Sequence, residues 1–340
     1  MGRGLSSSAA RTYRFTARFL VLNVGARVRV VDERRDLAHA DAMRWLLVVA
    51  VVAVGIPAAA PSGTVGYQLT IAASHPSKPF YALFSIDTET GRRELLGSVI
   101  RGVTQHRWSA DGTRVAYRAR MALWVANADG SAARRLVSDS DDERASFGSA
   151  VWSKDESRIV FECSRRPGLA RICSVPAEGG EWSTVMTVTQ PPGSEFEELD
   201  VSRRDGALVL TREAGATWFR WDVLTAREDG TGLRQLVSLY IDEKRGVAWS
   251  PDGETIAYAH CASGNRQQLR LMKGDGTNKR TLRRFNGYRR CPEWITWSPD
   301  GERLAFRSGL GIWLMNADGT GLKLLTTSRN AGGIAWRSHR

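Results

Sequence analysis

Hydrophobic residues alternate with small residues in short segments that recur along most of the chain. Examples are residues 115–117 (Val-Ala-Tyr), 256–258 (Ile-Ala-Tyr) and 304–306 (Leu-Ala-Phe). A period of two predicts β-strands, in which successive side chains point to opposite faces. Because both faces of these segments are apolar, the pattern indicates strands that are covered on both sides, as in stacked sheets.

A turn of the form Ser-x-Asp-Gly precedes most of these segments, and a tryptophan usually precedes the turn. The Asp side chain can bond its own backbone and Gly accepts a positive φ, so the motif predicts a tight hairpin between two strands. Copies of this unit start at residues 108, 152, 201, 249, 297 and 336, at intervals of 39 to 49 residues. A period in this range is typical of repeat architectures.

Each unit carries signals for two further strands. A second turn rich in Asp and Gly lies at residues 127–130, 228–230, 274–276 and 316–319, and it follows a segment of alternating apolar residues. A segment rich in Arg and Lys comes after it, as expected for a solvent-facing edge strand that is protected from pairing with another chain. Four antiparallel strands in roughly 45 residues predict one blade of a β-propeller.

The number of units predicts how the propeller closes. Five units are complete, and residues 65–97 before them have the strands of a blade without its first strand. Residues 333–336 at the other end (Gly-Ile-Ala-Trp) have a first strand without its blade. We therefore expect an all-β, six-bladed β-propeller of four-stranded antiparallel blades, over residues 61–340, in which the C-terminal strand pairs with the N-terminal blade.

The repeat resembles the TolB-type, WD-like propeller repeat, on the phrases that begin at Trp108, Trp249 and Trp297. The same repeat occurs in the propeller domains of prolyl-oligopeptidase-like and tricorn-like proteases. The resemblance covers about residues 65–340 and implies the fold, whereas such folds host many activities. The separate N-terminal α/β domain of TolB is not expected here, and no Gly-x-Ser-x-Gly nucleophile elbow is present. Neither the complete role of TolB nor peptidase activity is therefore implied.

The residues before the propeller predict export. Met43 and Arg44 precede an apolar run at residues 45–56, and Ala58-Ala59-Ala60 follows it. A positive end, a short apolar core and a small-residue exit indicate a signal peptide over residues 43–60, with an uncleaved anchor as the alternative. Residues 1–42 are interpreted as unstructured, or as a mis-annotated extension upstream of a start at Met43. The expected location is periplasmic, in the cell envelope or extracellular.

The formal net charge is +12, which makes nucleic acid or an anionic surface a conceivable partner. The basic residues are spread over the outer strands of different blades, and an exported protein rarely meets nucleic acid. We therefore expect no nucleic-acid partner. Contact with a membrane is expected only through an uncleaved anchor, and a monomer is expected.

Four cysteines follow the signal and lie in a context that permits disulfides. Cys163 and Cys173 flank the hairpin between the second and third strands of one blade. Cys261 lies at the same hairpin two blades on, and Cys291 precedes the next blade. These connections share one face of a propeller, so Cys163–Cys173 and Cys261–Cys291 are the expected pairs, with four free thiols as the alternative. No Cys-x-x-Cys occurs, so no structural zinc and no cofactor is expected.

The face that carries the blade-to-blade connections is the expected functional one, because long loops gather there. Its candidate binding residues form an acidic group and a basic group, which together suit a protein or peptide partner in the envelope. Ordinary solvated loops are the alternative. The acidic candidates are Asp139, Asp141, Asp142, Glu143, Glu195, Glu197 and Glu198, and the basic loop supplies Tyr288, Arg289 and Arg290.

The first functional hypothesis is a non-catalytic scaffold that binds a protein or another ligand. The alternative is a propeller enzyme, a metal-dependent lyase or a lactonase-like protein. Some TolB-like propellers are sugar-acid lyases that hold a metal with His and Gln, and this resemblance implies a site built from His75, His106 and His260. Such a site requires all three side chains to converge on the central channel.

Overall fold

The computed structural model consists of β-strands and turns, and no helix occurs in the parts of the chain that it describes. Among those parts there is therefore no helix that could cross a membrane. The expected signal peptide (43–60) and the residues before it lie outside the described residues. The structure describes residues 66–74, 81–96, 102–138, 147–163, 169–189, 196–213, 220–240, 246–262, 266–285, 291–327 and 331–339.

Within these ranges the chain forms twenty-four strands in six four-stranded sheets. The strands are β1 (Gly66–Ser74), β2 (Tyr81–Ile86), β3 (Arg93–Leu95), β4 (Val103–Trp108), β5 (Arg114–Ala119), β6 (Ala122–Asn127), β7 (Arg134–Ser138), β8 (Phe147–Trp152), β9 (Arg158–Cys163), β10 (Leu169–Pro176), β11 (Ser183–Thr189), β12 (Phe196–Val201), β13 (Leu208–Glu213), β14 (Arg220–Ala226), β15 (Arg234–Tyr240), β16 (Val247–Trp249), β17 (Thr255–Ala262), β18 (Arg266–Lys273), β19 (Arg280–Phe285), β20 (Glu293–Trp297), β21 (Arg303–Ser308), β22 (Gly311–Asn316), β23 (Lys323–Thr327) and β24 (Ile334–His339).

Each sheet is one blade, and the expected six-bladed propeller is confirmed. Blade 1 has the strand order β24-β1-β2-β3, and blades 2 to 6 are β4–β7, β8–β11, β12–β15, β16–β19 and β20–β23. The first strands of neighbouring blades contact one another in the cyclic order β24, β4, β8, β12, β16, β20 and back to β24. These six strands therefore surround the axis of a closed ring.

The C-terminal strand closes the ring, as the incomplete first and last units predicted. β24 pairs antiparallel with β1 in a register that runs from Gly66 opposite His339 to Ile71 opposite Ile334. Ile334 is fully buried, and Trp336 is almost so. β1 therefore pairs with β24 on one side and with β2 on the other, and neither of its edges is left unpaired.

The core is divided into six apolar clusters, one between each pair of neighbouring blades. Between blades 5 and 6, for example, Ala257 of β17 faces Phe306 of β21, and both are fully buried. In each second strand, the face with small side chains thus packs against one neighbouring blade and the face with large side chains against the other. Both faces of these strands are apolar for this reason. In contrast, the outer strand β7 begins with Arg134 and Arg135, which are exposed.

The Ser-x-Asp-Gly turns are held by their own side chains. In the turn of blade 3, the Ser153 hydroxyl donates to Asp155 Oδ1 at 2.7 Å, and the amide of Arg158 donates to Ser153 Oγ at 3.0 Å. The hydrogen bond from Ser153, together with donors from Ser157, lowers the pKa of Asp155 to about 2. The motif therefore stabilises the hairpin locally and is an architectural feature of the repeat.

The structure contains two disulfides, which join the pairs expected from the positions of the hairpins. Cys163 pairs with Cys173 within blade 3. Cys261 of β17 pairs with Cys291, which directly precedes β20, so this bridge joins blade 5 to blade 6. Two disulfides are consistent with a protein that folds in an oxidising compartment.

Candidate functional site

The channel along the axis is lined by the first strands of the blades, and the chain topology gives it two different ends. The Ser-x-Asp-Gly turns and the later Asp-Gly turns lie at one end, which we call the turn face. The hairpins between second and third strands and the connections between blades lie at the other end, which we call the loop face. Successive antiparallel strands end at alternate faces, so this division follows from strand order.

A cavity of about 330 Å³ occupies the turn-face end of the channel. It is lined by the ends of the first strands, including Trp108, Asp200, Trp249, Trp297 and Trp336. Asp200 Oδ2 accepts a hydrogen bond from the amide of Trp249 at 2.8 Å. Burial raises the pKa of the Asp200 carboxyl above its usual range, and the nearby charge of Arg107 opposes this shift.

The channel narrows to a neck between the two faces. The cavity at this neck has a volume of only about 10 Å³. Its lining includes Arg107, Glu198 and Trp294, from blades 2, 4 and 6. A space of this size holds about one water molecule. No ligand much larger than a water molecule fits into this space as the described residues form it.

A cleft of about 660 Å³ opens on the loop face above blades 1, 2 and 6. We call it the loop-face cleft. It is lined by Tyr81, Thr104, Gln105, Arg118, Arg120, Met121, Trp294, Arg307, Ala331 and Gly332. Trp294 and Gln105 also line the neck, so the cleft lies directly at the loop-face end of the channel.

The loop-face cleft is basic. Arg118 and Arg120 have no carboxylate within salt-bridge distance among the described residues, and no acidic residue lines the cleft. Arg307 lies with its guanidinium carbon 4.9 Å from the centre of the Trp294 ring and 3.8 Å from Glu293 Oε1. Its Nη1 donates to the carbonyl of Ala331 at 3.1 Å. Among the described residues, the guanidinium groups of Arg118 and Arg120 thus have no ion-pair partner, whereas that of Arg307 is held by its contacts with Trp294, Glu293 and Ala331.

None of the residues that line this cleft was among the binding residues predicted from the sequence, because those were chosen from runs of charge in the longer loops. Most of those candidates lie outside the described residues: Asp139, Asp141, Asp142, Glu143, Glu195, Tyr288, Arg289 and Arg290. The side chain of Glu197 is also outside them. Glu198 lies within β12, and it is buried at the neck instead of standing in an exposed acidic loop.

His106 lies between blades 1 and 2 in a buried polar network. Thr70 Oγ1 donates its one hydrogen to the carbonyl of Ala335 at 2.8 Å, so it can only accept from Trp108 Nε1 at 2.9 Å and from His106 Nε2 at 2.7 Å. The imidazole is therefore the neutral tautomer with hydrogen on Nε2. Burial is the main cause that lowers the pKa of His106 to about 3, and the charge of Arg107 adds to it.

This geometry does not fit His106 as a metal ligand, because its ring is enclosed and its Nε2 is committed to Thr70. His260 lies on β17 with Nδ1 3.4 Å from a guanidinium nitrogen of Arg270, and His75 is outside the described residues. Within the described part of the chain, no three His, Cys, Asp or Glu side chains form a group that could hold a metal ion.

Replacing His106 with Gln is expected to flatten the dependence of stability on pH. The folded-state pKa is depressed, so below about pH 6.5 the unfolded chain binds a proton that the folded chain does not. Stability from this residue is therefore present above pH 6.5 and is lost as pH falls. Between pH 8 and pH 5 the wild type should lose about 2 kcal/mol through this residue. Urea unfolding of both proteins at the two pH values measures the difference, and equal losses would contradict the buried neutral imidazole.

Comparisons with known proteins agree with the architecture. A family model described as the TolB beta propeller domain matches residues 64–296. No curated protein sequence matches this chain.

Three solved structures illustrate the likeness, which at these identities concerns the fold alone. A protein assigned as TolB from Agrobacterium tumefaciens is 15% identical, with a TM-score of 0.57 over 82% of this chain and 100% of that chain. TolB from Acinetobacter baumannii is 18% identical, with a TM-score of 0.59 over 79% of this chain and 66% of that one. A chain of a nidogen–laminin complex is 11% identical, with a TM-score of 0.60 over 80% and 98%. The family model covers well over half of the residues, and with six closed blades it leads to one conclusion: this chain belongs to the TolB beta propeller domain family.

Proposed function

We propose that this protein is an exported, non-catalytic β-propeller that binds a protein partner in the cell envelope or outside the cell. It would act as a monomer, without a cofactor, after removal of the signal over residues 43–60. The two disulfides support export. Residues 43–60 also support it, because a positively charged start with Arg44 precedes a short apolar run, as in a signal peptide. Membership of the TolB propeller family supports a binding role.

The observation that carries the proposal is the difference between the two ends of the channel. The turn face is built from repeated turns whose Asp side chains are occupied by their own hairpins. The turn face also has a cleft, of about 710 Å³ between blades 4 and 5, but its charged side chains are of both signs. The loop-face cleft is lined by aromatic and basic side chains from three blades and by no acidic side chain. Polar anchors and apolar contact area in one concave surface are what a protein-binding site requires.

The neck adds a second argument for binding at the loop face. The described residues leave a free volume of only about 10 Å³ at the neck, so a peptide or sugar chain does not fit into that space. A partner that enters the loop-face cleft is therefore held at the mouth of the channel.

The test is capture of a partner from envelope extract by the immobilised mature chain, with identification by mass spectrometry. Arg118→Glu changes the charge inside the loop-face cleft. Arg227→Glu is the matched control, because Arg227 is an exposed arginine on the turn face. We expect one specific protein to be captured by the wild type and by Arg227→Glu, and to be lost with Arg118→Glu.

Two outcomes would contradict the proposal. One is that no protein is enriched over a bare matrix, or that both charge reversals reduce capture equally, which would indicate unspecific attraction to a basic protein. The other is a divalent ion bound in a one-to-one ratio in the purified chain together with turnover of an acidic sugar, which would favour the lyase-like alternative.

A further inference from the structure

The backbone of the loop-face cleft is strained at three of its lining residues. Six residues other than glycine have a positive φ in the described part of the chain, and Arg120 (51°), Met121 (58°) and Trp294 (51°) all line this cleft. A positive φ is unfavourable for L-residues with large side chains. Strain of this kind persists where the surrounding structure enforces it, and it gathers at functional sites.

The hairpin of blade 2 requires a positive φ at both turn positions, but it does not require large side chains there. Ala119 pairs with Ala122, so Arg120 and Met121 form a two-residue turn between β5 and β6 with positive φ at both positions. Such turns favour Asn-Gly or Gly. The corresponding turn in blade 6 has Gly309 at its first position, with φ of 62°. Blade 2 instead places a guanidinium and a thioether side chain at the rim of the cleft.

Met121 is also unusually exposed. Its side chain has a relative exposure of 59%, the highest among the large hydrophobic residues that the structure describes as exposed. It stands next to Arg120, which is exposed as well, and it lines the same cleft as Trp294. A partner that covers this apolar side chain would gain free energy from its removal from water.

The charge of the cleft selects the kind of partner. Among the residues that the structure describes, no carboxylate forms an ion pair with Arg118 or Arg120, and guanidinium groups bind carboxylates with two parallel hydrogen bonds. A polyanionic sugar or a phosphate would satisfy these charges but would leave Met121 exposed to water. A peptide with both carboxylates and an apolar side chain would satisfy the arginines and cover the thioether.

We propose that the loop-face cleft binds an acidic peptide segment that inserts one apolar or aromatic side chain between Met121 and Trp294. Arg118 and Arg120 hold its carboxylates, and Arg307 keeps the Trp294 ring in place through its stacking contact. This inference rests on the proposed function and specifies the chemistry of the partner. Because the guanidinium groups are partly solvated, the affinity falls as salt is raised.

The experiment uses the mature chain and a fluorescein-labelled synthetic peptide of aspartates and glutamates around one central phenylalanine, with fluorescence anisotropy as the readout. The variant is Arg120→Asn combined with Met121→Gly, which gives the turn the residues that its backbone favours. We expect the affinity for the peptide to fall about tenfold or more. The melting temperature should rise by about 2–4 °C, because the strain is relieved.

The matched control is Ala132→Gly on the turn face, where Ala132 is exposed and has a φ of 51°. It relieves the same kind of backbone strain away from the cleft, so the melting temperature should rise while the affinity stays unchanged. Two control peptides separate the two parts of the ligand. One has amides in place of its carboxylates, and the other has serine in place of phenylalanine, and both should bind more weakly than the parent peptide.

The inference is overturned if the hairpin variant binds the acidic peptide within twofold of the wild type. It is also overturned if an oligo-uronate of equal charge binds more tightly than the peptide. These outcomes differ from failure of the proposed function. If the wild type and the hairpin variant capture the same envelope protein equally well, the binding role holds and the acidic-peptide site is excluded.

Discussion

Replacing Gly112 with alanine is expected to destabilise the propeller by about 3 kcal/mol or more, because the added methyl group clashes with the C-terminal strand that closes the ring. Gly112 lies in the first turn of blade 2 with φ of +70°, and a Cβ at this position would lie 1.8 Å from the carbonyl oxygen of Ser338 in β24. Arg337 Nε donates to the carbonyl of Gly112 at 3.1 Å in the same place. The added methyl group therefore forces β24 away from blade 2. Urea unfolding monitored by tryptophan fluorescence measures the loss.

The control for this variant is Gly309→Ala. Gly309 also has a positive φ, of +62°, but a Cβ there would meet nothing within 4 Å. Its replacement should cost only the backbone strain, about 1–2 kcal/mol. If both glycine variants lose the same stability, the contact between blade 2 and β24 does not contribute to closure in the way that the structure indicates.

Replacing Thr70 with valine is expected to cost about 3 kcal/mol or more, although the two side chains have nearly the same shape. The Thr70 hydroxyl has three partners: it donates to the Ala335 carbonyl and accepts from Trp108 and His106. Valine leaves the indole N–H and the imidazole N–H buried without an acceptor, and each unsatisfied group costs about 1–3 kcal/mol. Urea denaturation at pH 8 measures the effect with the histidine neutral in both states.

Thr225→Val is the matched control for this substitution. Thr225 is also buried, but among the described residues its hydroxyl makes one hydrogen bond, which it donates to the carbonyl of Leu208 in the same blade at 2.8 Å. We expect a loss of about 1 kcal/mol. Equal effects of the two valine substitutions would mean that the network around Thr70 contributes no more than one ordinary hydrogen bond.

The two large effects lie at the same interface because ring closure concentrates long-range contacts there. Blades 2 to 6 are each formed by consecutive strands, whereas blade 1 joins β24 to β1 across almost the whole propeller sequence. Thr70, Gly112 and Arg337 tie this junction to blade 2. Loss of the junction exposes the two strand edges along which β1 and β24 pair. For this reason small changes here have large expected effects.

The architecture could be derived from the sequence because its signals are local and repeated. The Ser-x-Asp-Gly turn sets each hairpin through bonds within five residues, such as those of Ser153 and Asp155. Five copies of the turn and two incomplete units determined the number of blades and the pairing of β24 with β1. The cysteine pairs followed from the strand order, because that order decides which connections share a face.

The candidate site depended on the tertiary structure. Arg118 and Arg120 belong to one hairpin of blade 2, whereas Trp294 and Arg307 lie in two strands of blade 6. Only the closed ring brings these distant segments to one cleft. The sequence-based candidates were instead chosen from runs of charge in the loops. The acidic residues next to Glu198 did not indicate that this side chain is buried at the neck. The positive φ of Arg120 and Met121 is likewise invisible in the sequence, since neither residue type favours it.

The sequence by itself thus determined the fold, the blade count and the closure, because turn chemistry and strand alternation act between near neighbours and repeat in every blade. Only the tertiary structure decided which side chains meet at the loop face and which are enclosed at the axis. Those contacts join residues as many as 265 positions apart, as between Thr70 and Ala335, and their geometry is set by the curvature of the whole ring.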